Sequence, residues 1–287
     1  MNTKPSDSYL RDAFRKLRRH KLAMISLVIL LLEILLLIVL PLVIQIDPNQ
    51  TVGKFYEAPS AAHVLGTDGV GRDVLARILS GGKVSLIIGF LSSVLSALIG
   101  VPLGLLAGYY RGVAEMVIMR LTEVFQTLPT MVLALVVVSI TGPSVTVLIL
   151  VIGVLGWSRF TRLVYSSVLS VREKEYVESA HAVGEKDFRI LFRYILPNVI
   201  TPIMIAFTFG IASSILSESS LSFLGLGVQQ PQASWGSILN AARNITVLSR
   251  YVWCWLPAGL VLVVTISAIN FLGDGIRDAL DTNTSIF

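Results

Sequence analysis

His63-Val64-Leu65-Gly66-Thr67-Asp68, followed by Gly71-Arg72-Asp73-Val74-Leu75, places an imidazole, two carboxylates and a guanidinium close together. This is a poor metal site. Two carboxylates with a lone histidine are weak ligands for transition metals, and a calcium loop of the EF-hand kind needs more acidic residues at alternate positions. The remaining reading is an ordered loop. In it Asp68 and Asp73 accept from backbone donors or pair with Arg72, while Gly66, Gly69 and Gly71 allow tight turns. Glu33 stands in the middle of a long apolar run, where insertion scales charge about 2.5–3.5 kcal/mol for the comparable Asp. A proton relay is the sharp reading of Glu33, and packing against a partner helix is the plainer and favoured one. Arg120 and Glu123 are spaced to pair at i, i+3. Glu218 closes another apolar run, facing a vestibule or water. Nowhere do nucleophile, base and orienter gather, and no GxxxxGK[ST] loop is present. The chain is therefore expected to catalyse no covalent step, to hold no metal or cofactor, and not to hydrolyse nucleotide by the usual means.

The polar stretch with the most organised pattern is VREKEYVESAHAVGEKDFRILFRYILPN, Val171 to Asn198. A short helix is expected over Glu175–Val183, broken at Gly184. A second amphipathic piece follows, with Phe188, Leu191, Phe192 and Ile195 at helical spacing and Lys186, Arg189 and Arg193 between them. Pro197 is expected to end this register before the next apolar run. Such an elbow, apolar on one side, needs either a groove on a partner or a membrane surface. The pattern alone leaves both open.

The elements that hold these groups are apolar. Of 287 residues 54% are hydrophobic and 14% charged, against about 25% charged in soluble domains, and the mean hydropathy is +0.77. Runs of membrane-spanning length cover Leu22–Ile46, Val84–Tyr109, Val113–Ile140, Val145–Tyr165, Val199–Leu216 and Trp253–Leu272. The first is too long for a signal peptide and lacks a small-residue cleavage site, so it is expected to stay. The fold class is thus all-α, a polytopic bundle of about six spans. Gly89, Gly100, Pro102, Gly104 and Gly108 with Ser92, Ser93 and Ser96 mark the second span as a close-packing helix, with a kink expected at Pro102. The single cysteine, Cys254, permits no internal disulfide. The net charge of +5 lacks the aromatic–basic interleaving of a nucleic-acid binder and reads as the basic bias of cytoplasmic segments.

The elbow also carries a family likeness. Glu178-Ser179-Ala180, then Gly184, then Leu196-Pro197 resembles the EAA signature of ATP-binding-cassette importer permeases, with Ser179 where a second alanine is usual and Tyr194 where isoleucine is common. Gly66-Thr67-Asp68 with Gly71-Arg72-Asp73 is similar to the GTDxxGRD segment of the dipeptide, oligopeptide and nickel importers, specifically their C-type permease. Leu221-Ser222-Phe223-Leu224-Gly225-Leu226-Gly227 with Pro231 and Ser234-Trp235-Gly236, and the ending Gly273 to Asp281, resemble the same family. The resemblance covers about Ala62 to Asp281.

The resemblance implies a type I importer permease fold and a pore shared with a B-type permease. It implies two cytoplasmic ATPase subunits that use ATP and Mg, and an extracytoplasmic binding protein that delivers cargo. Short peptides are the first choice of cargo and nickel or a nickel chelate the second; an ion-driven secondary transporter is the alternative of another class. The elbow 171–197 would be the ATPase-coupling region, acting through Glu178, Ser179, Ala180, Gly184, Leu196 and Pro197. Leu221, Phe223, Leu224, Gly225, Gly227 and Trp235 would form an outer gate that meets the binding protein. The expected organisation is a cytoplasmic tail 1–21, a first span 22–46, an extracytoplasmic loop 47–83, a main transmembrane domain 84–281 and a cytoplasmic tail 282–287, in the lipid bilayer of a bacterial or archaeal inner membrane. Lys and Arg are concentrated in the tail and after Arg159, which sets both termini inside. Reporter fusions after Gly53, Ser170, Asn240 and the C-terminus should therefore read out, in, out, in. An outside signal at Ser170 would contradict this topology.

Overall fold

The computed structural model describes residues 15–280; residues 1–14 of the expected N-terminal tail and the whole of the expected tail 282–287 lie outside them. The ordered elements are α1 (Lys21–Ile44), α2 (Val74–Tyr110), α3 (Gly112–Thr127), α4 (Thr130–Thr141), α5 (Val145–Arg172), α6 (Glu175–Ala182) and α7 (Asp187–Ile190). The last continues through a π turn (Leu191–Ile195) into α8 (Leu196–Phe223). The short helices α9 (Trp235–Leu239) and α10 (Ile245–Arg250) then precede α11 (Leu256–Leu280). Five helical runs are long and apolar enough to cross a membrane, and a sixth crossing results if α3 and α4 count as one bent span. This agrees with the expected all-α bundle of about six spans.

Three boundaries differ from those expected. Loop 47–83 ends ten residues early, because Asp73 Oδ1 accepts from Ala76 N at 2.9 Å and caps α2 at Val74. At 37 residues, α2 is about 55 Å long at about 1.5 Å per residue, well beyond the roughly 30 Å apolar core of a bilayer. The third span is two helices bent by 83°. Pro129 causes the break: it pushes Leu128 into extended backbone, φ −79 and ψ 134. Finally, Pro197 does not end the elbow's helix. The chain stays helical from Asp187 to Phe223, and the π turn just before the proline loosens the ladder where its ring would meet the i−4 carbonyl. Pro102 likewise lies within an unbroken α2.

The closest helix contact is between α2 and α5, which run side by side in the same direction. A methyl group added to Gly100 would lie 2.6 Å from Phe160 Cβ, one on Gly104 2.6 Å from Val164 Cβ, and one on Gly108 2.7 Å from Val168 Cβ. Small residues four apart on one helix thus receive large residues four apart on the other. Side-chain hydroxyls extend the same register. Ser92 Oγ donates to Ile149 O at 3.3 Å, Ser96 Oγ to Gly153 O at 2.8 Å and Thr161 Oγ1 to Gly100 O at 3.1 Å.

Around this seam sit three apolar clusters. One, at the end of the bundle bearing loop 45–73, joins α1, α2, α8, α9 and α11 around Trp235, Ile215 and Ala258. One at the opposite end joins α2, α5 and the elbow around Tyr109, Val168, Val177 and Ile195. The third joins α2, α4, α5 and α8 around Ile88, Val138 and Leu148. α1 is exposed along most of its length and packs on α11, where Thr265 Oγ1 donates to Glu33 Oε1 at 2.6 Å. Glu33 therefore faces a neighbouring helix of its own chain, as the plainer reading expected.

The seam leaves no room for a side chain at Gly104. Gly104→Leu should destabilise the protein by about 1–3 kcal/mol, read as a melting temperature in detergent lower by roughly 5 °C. Gly259→Ala, whose added methyl meets only the flexible end of Leu239 at 3.3 Å, should change it little. Equal shifts for the two would mean that the seam is loosely packed.

Candidate functional site

Elements spread over both ends and the middle of the bundle carry the residues singled out by sequence. At the elbow, α6 ends at Ala182 and Gly184 adopts φ +77 with open space around it. The turn needs a left-handed backbone, which glycine adopts without strain. Glu178 and Ser179 are exposed, and Ser179 Oγ donates to Glu175 O at 2.7 Å. Ala180 is buried against the bundle with Val177, so the expectation that it enters a partner's groove does not hold. The exposed apolar groups here are Val183, 84% accessible, and Phe188, 72%. Phe188 packs against Phe192 with ring centres 4.4 Å apart and planes tilted by 38°. The second elbow helix thus divides its apolar residues between two faces: Ile190, Leu191 and Ile195 inward, the two phenylalanines outward. Leu196 is half-buried and Pro197 exposed.

Tyr109 fixes this elbow to the bundle, a role its sequence context did not suggest. Its hydroxyl donates to Asp187 Oδ1 at 2.7 Å, lies 3.3 Å from His181 Nε2, and its ring stacks on His181. The residue directly follows Gly108, at the end of the α2–α5 seam. Burial raises the pKa of the nearby Tyr176 hydroxyl above the ordinary tyrosine value, so it stays neutral.

At the other end, the loop before α2 is organised by Asp68. Its carboxylate accepts from Val70 N at 2.8 Å, Arg72 N at 3.0 Å and Arg72 Nε at 2.8 Å, and lies 3.5 Å from Arg77 Nε. Arg72 reaches on to Gln230 Oε1 at 3.2 Å. Gly66 and Gly71 adopt φ +70 and +80. Thr67 is buried, donating to Lys54 O at 2.5 Å and accepting from Glu57 N at 2.8 Å. His63 Nδ1 lies 2.9 Å from Asp73 Oδ2. Among the described residues no group of three metal-ligating side chains forms. The buried Cys254 thiol is pushed up to about 12 by burial and by Asp68, which leaves it protonated and unreactive.

The segment 221–235 is less exposed than a gate surface should be. Leu221 and Trp235 are buried, and so are Ser222 and Ser234. Trp235 Nε1 donates to Ile78 O at 3.2 Å. Gly227 packs on Ser222 so closely that an added methyl would overlap it. Of the six residues named for the gate, Phe223, Leu224 and Gly225, the last at φ +90, reach the surface, as do the neighbouring Gln229, Gln230, Pro231 and Gln232. Beneath them Glu218 is fully buried, not facing a vestibule or water. It accepts from Ser85 Oγ at 3.1 Å, Ser222 Oγ at 2.6 Å and Ser219 Oγ at 3.4 Å, which ties α8 to α2. The run of serines on both sides of it was the available signal.

Between α2, α4, α5 and α8 lies a cavity of about 560 Å³, lined by Ser93, Ser96, Thr130, Met131, Phe160 and Ser213 among others. Arg159 also lines it. The sequence reading grouped Arg159 and Arg162 with the inside loop, yet both lie within α5. Arg172, Lys174, Lys186, Arg189 and Arg193 still carry the basic bias of the elbow.

A bundle with an external elbow, a capped loop and a central cavity is the architecture of a transport subunit, and comparison with known proteins decides which. Residues 100–286 match the family described as binding-protein-dependent transport system inner membrane component. Residues 8–59 match the N-terminal TM domain of oligopeptide transport permease C. The chain belongs to this permease family. It is a transport subunit of the ATP-binding-cassette importer class and not an enzyme, which removes the ion-driven alternative. It is 38% identical over 283 residues to the dipeptide transport system permease protein DppC of Alkalihalophilus pseudofirmus, covering 96% of this chain and 92% of that one. It is 43% identical over 225 residues to the glutathione transport system permease protein GsiD of Pectobacterium atrosepticum, covering 78% and 74%. In fold it is similar to the inward-facing MetNI methionine ABC transporter, with a TM-score of 0.60 at 19% identity over 72% of this chain and 96% of that one.

The permease's loop 45–73 rests on one carboxylate between two buried arginines. Asp68→Ala should destabilise the fold by about 3–5 kcal/mol, the range for removing one partner of a buried ion pair. It should also open the loop to limited proteolysis. An Asp68→Ala protein with unchanged melting temperature and cleavage pattern would show that the arginines are satisfied without it.

Proposed function

We propose that this permease forms half of a translocation path for short peptides, with its elbow seated in a cleft of a cytoplasmic ATPase subunit. The observation that carries the reading is the elbow itself. Val183, Gly184 and Phe188 project from the bundle while Tyr109, Val177 and Ala180 hold their base. Exposed apolar groups beside Glu178 and Lys186 suit a protein groove with a charged rim. A membrane surface would favour a longer apolar face than these few residues offer.

In this reading a B-type permease completes the pore, two ATPase subunits bind ATP and Mg, and a binding protein delivers cargo at the loop end. The loop end then lies outside and the elbow inside the inner membrane, with both termini cytoplasmic. Closure of the ATPase pair draws the elbows together. The motion passes from α6 through Tyr109 into α2, and through the α2–α5 seam into the walls of the cavity. At the outer end, contact with the binding protein falls to Phe223, Leu224 and Gly225; Leu221, Gly227 and Trp235 support them from below. Peptide cargo is favoured because the similar permeases named above serve a dipeptide and a glutathione system.

Gly184→Val and Glu178→Lys should leave the protein inserted and co-purifying with its ATPases, yet abolish stimulation of ATP hydrolysis by loaded binding protein and lower uptake at least ten-fold. The valine is strained at φ +77 by roughly 1–2 kcal/mol, whereas Gly184→Asn tolerates that backbone and should keep most activity. If both disruptive variants stimulate and transport like the wild type, the elbow is a membrane-surface helix.

A further inference from the structure

Arg159 occupies the midpoint of the 28-residue α5, about 20 Å from either end at about 1.5 Å per residue. It faces the central cavity, and its guanidinium donates through Nη1 to Ser213 Oγ at 3.1 Å. No Asp or Glu lines that cavity, and among the described residues no carboxylate pairs with Arg159. Arg72 and Arg77, by contrast, share Asp68, Arg111 faces Glu115, Arg120 pairs with Glu123 and Arg189 with Glu185. The nearest candidate by sequence, Glu218, is turned into its serine cluster. An exposed guanidinium in the middle of a membrane-length helix, facing a cavity with a single neutral partner, points to a function.

We propose that Arg159, with Ser213, forms an intramembrane subsite for the terminal carboxylate of the transported peptide. This rests on the peptide-permease reading above. The guanidinium fork matches a carboxylate in two parallel hydrogen bonds. Ser213 already orients the fork from one side, while Ser217, a turn further along α8, lines the same cavity with its hydroxyl donated to Ser213 O at 2.8 Å. Apolar neighbours such as Met131, Phe160 and Phe209 line the rest, and contacts to them are tolerant of side-chain identity. The carboxylate is the one anionic group that every linear peptide carries, so a single arginine recognises the class without reading its sequence. It also satisfies a charge that the cavity otherwise leaves unpaired. A lone arginine in an open cavity holds its ligand weakly enough to release it.

The test uses the complete transporter in proteoliposomes and a di- or tripeptide that the binding protein holds, as free acid and as C-terminal amide. Each is supplied at the concentration giving equal occupancy of the binding protein. Wild-type uptake of the acid should exceed that of the amide about ten-fold. Arg159→Gln, still co-purifying with its partner subunits, should bring the acid down to the level of the amide, and Arg159→Lys should restore part of the difference. Equal wild-type uptake of acid and amide overturns the subsite. So does an equal loss of both in Arg159→Gln, or loss of subunit co-purification, which would make Arg159 a counter-charge to a neighbouring chain. If Arg159→Gln prefers the acid as the wild type does, the subsite falls while the peptide reading stands. A binding protein that holds no peptide, with no peptide uptake by the wild type, overturns both.

Discussion

The close approach of α2 to α5 is the constraint from which the remaining architecture follows. In lipid the hydrophobic effect gives helices no reason to associate, and packing density and interhelical hydrogen bonds must hold them. Gly100, Gly104 and Gly108 let the backbones meet, and Phe160, Val164 and Val168 fill the space. Because donors from Ser92, Ser96 and Thr161 follow the same register, sliding the seam by one residue would break packing and hydrogen bonds together. The seam behaves as a single bar running from the serine cluster around Glu218 to the elbow.

Its two ends are terminated differently. Toward the elbow, Tyr109 locks α2 to His181 and Asp187, so α6 cannot move without the bar. Toward loop 45–73, Ser85 meets Glu218 and Trp235, joining α2 to α8 and α9. Asp73 caps the same helix at its first turn. Between these anchors Pro129 bends α4 away from the line of α3, and α4 packs on the bar through Ala134 and Val138 against Ile88 and Leu148. The cavity is walled by α2, α4, α5 and α8. Walls made of packed helices that can shift against one another suit alternating access, where small movements of a bistable interface are amplified.

Much of this was legible in the chain. Apolar runs gave the number of spans, and the glycine spacing in α2 marked it as the packing helix. The elbow glycine was placed by its position between two helical patterns, and its φ of +77 agrees. What escaped did so for physical reasons. α2 starts at Val74 rather than Val84 because Arg77, Gly81, Gly82 and Lys83 depress hydropathy over helical turns that are nonetheless packed; Asp73 as a capping residue was the missed signal. The bend at Pro129 hid inside a stretch read as one span, Val113–Ile140, since hydropathy windows do not register backbone geometry. Glu218 and Arg159 were misplaced because a charge near an apolar run is assigned to its edge by default. Only three-dimensional contacts reveal that one is enclosed by serines from two helices and the other faces a cavity. Ala180 and Trp235 show the converse: residues in a recognisable motif need not be the ones that touch a partner.

The central claim is that the elbow docks on a soluble ATPase subunit, and proximity measures it most directly. In a Cys254→Ser background, a cysteine at Val183, the most exposed apolar residue of the elbow, is treated with a short thiol–amine crosslinker in membranes holding the complete transporter. The account predicts a covalent product between this chain and an ATPase subunit, with a yield that changes when ATP is trapped. A Val183 cysteine that yields no such product and is instead shielded by lipid from water-soluble thiol reagents would contradict it.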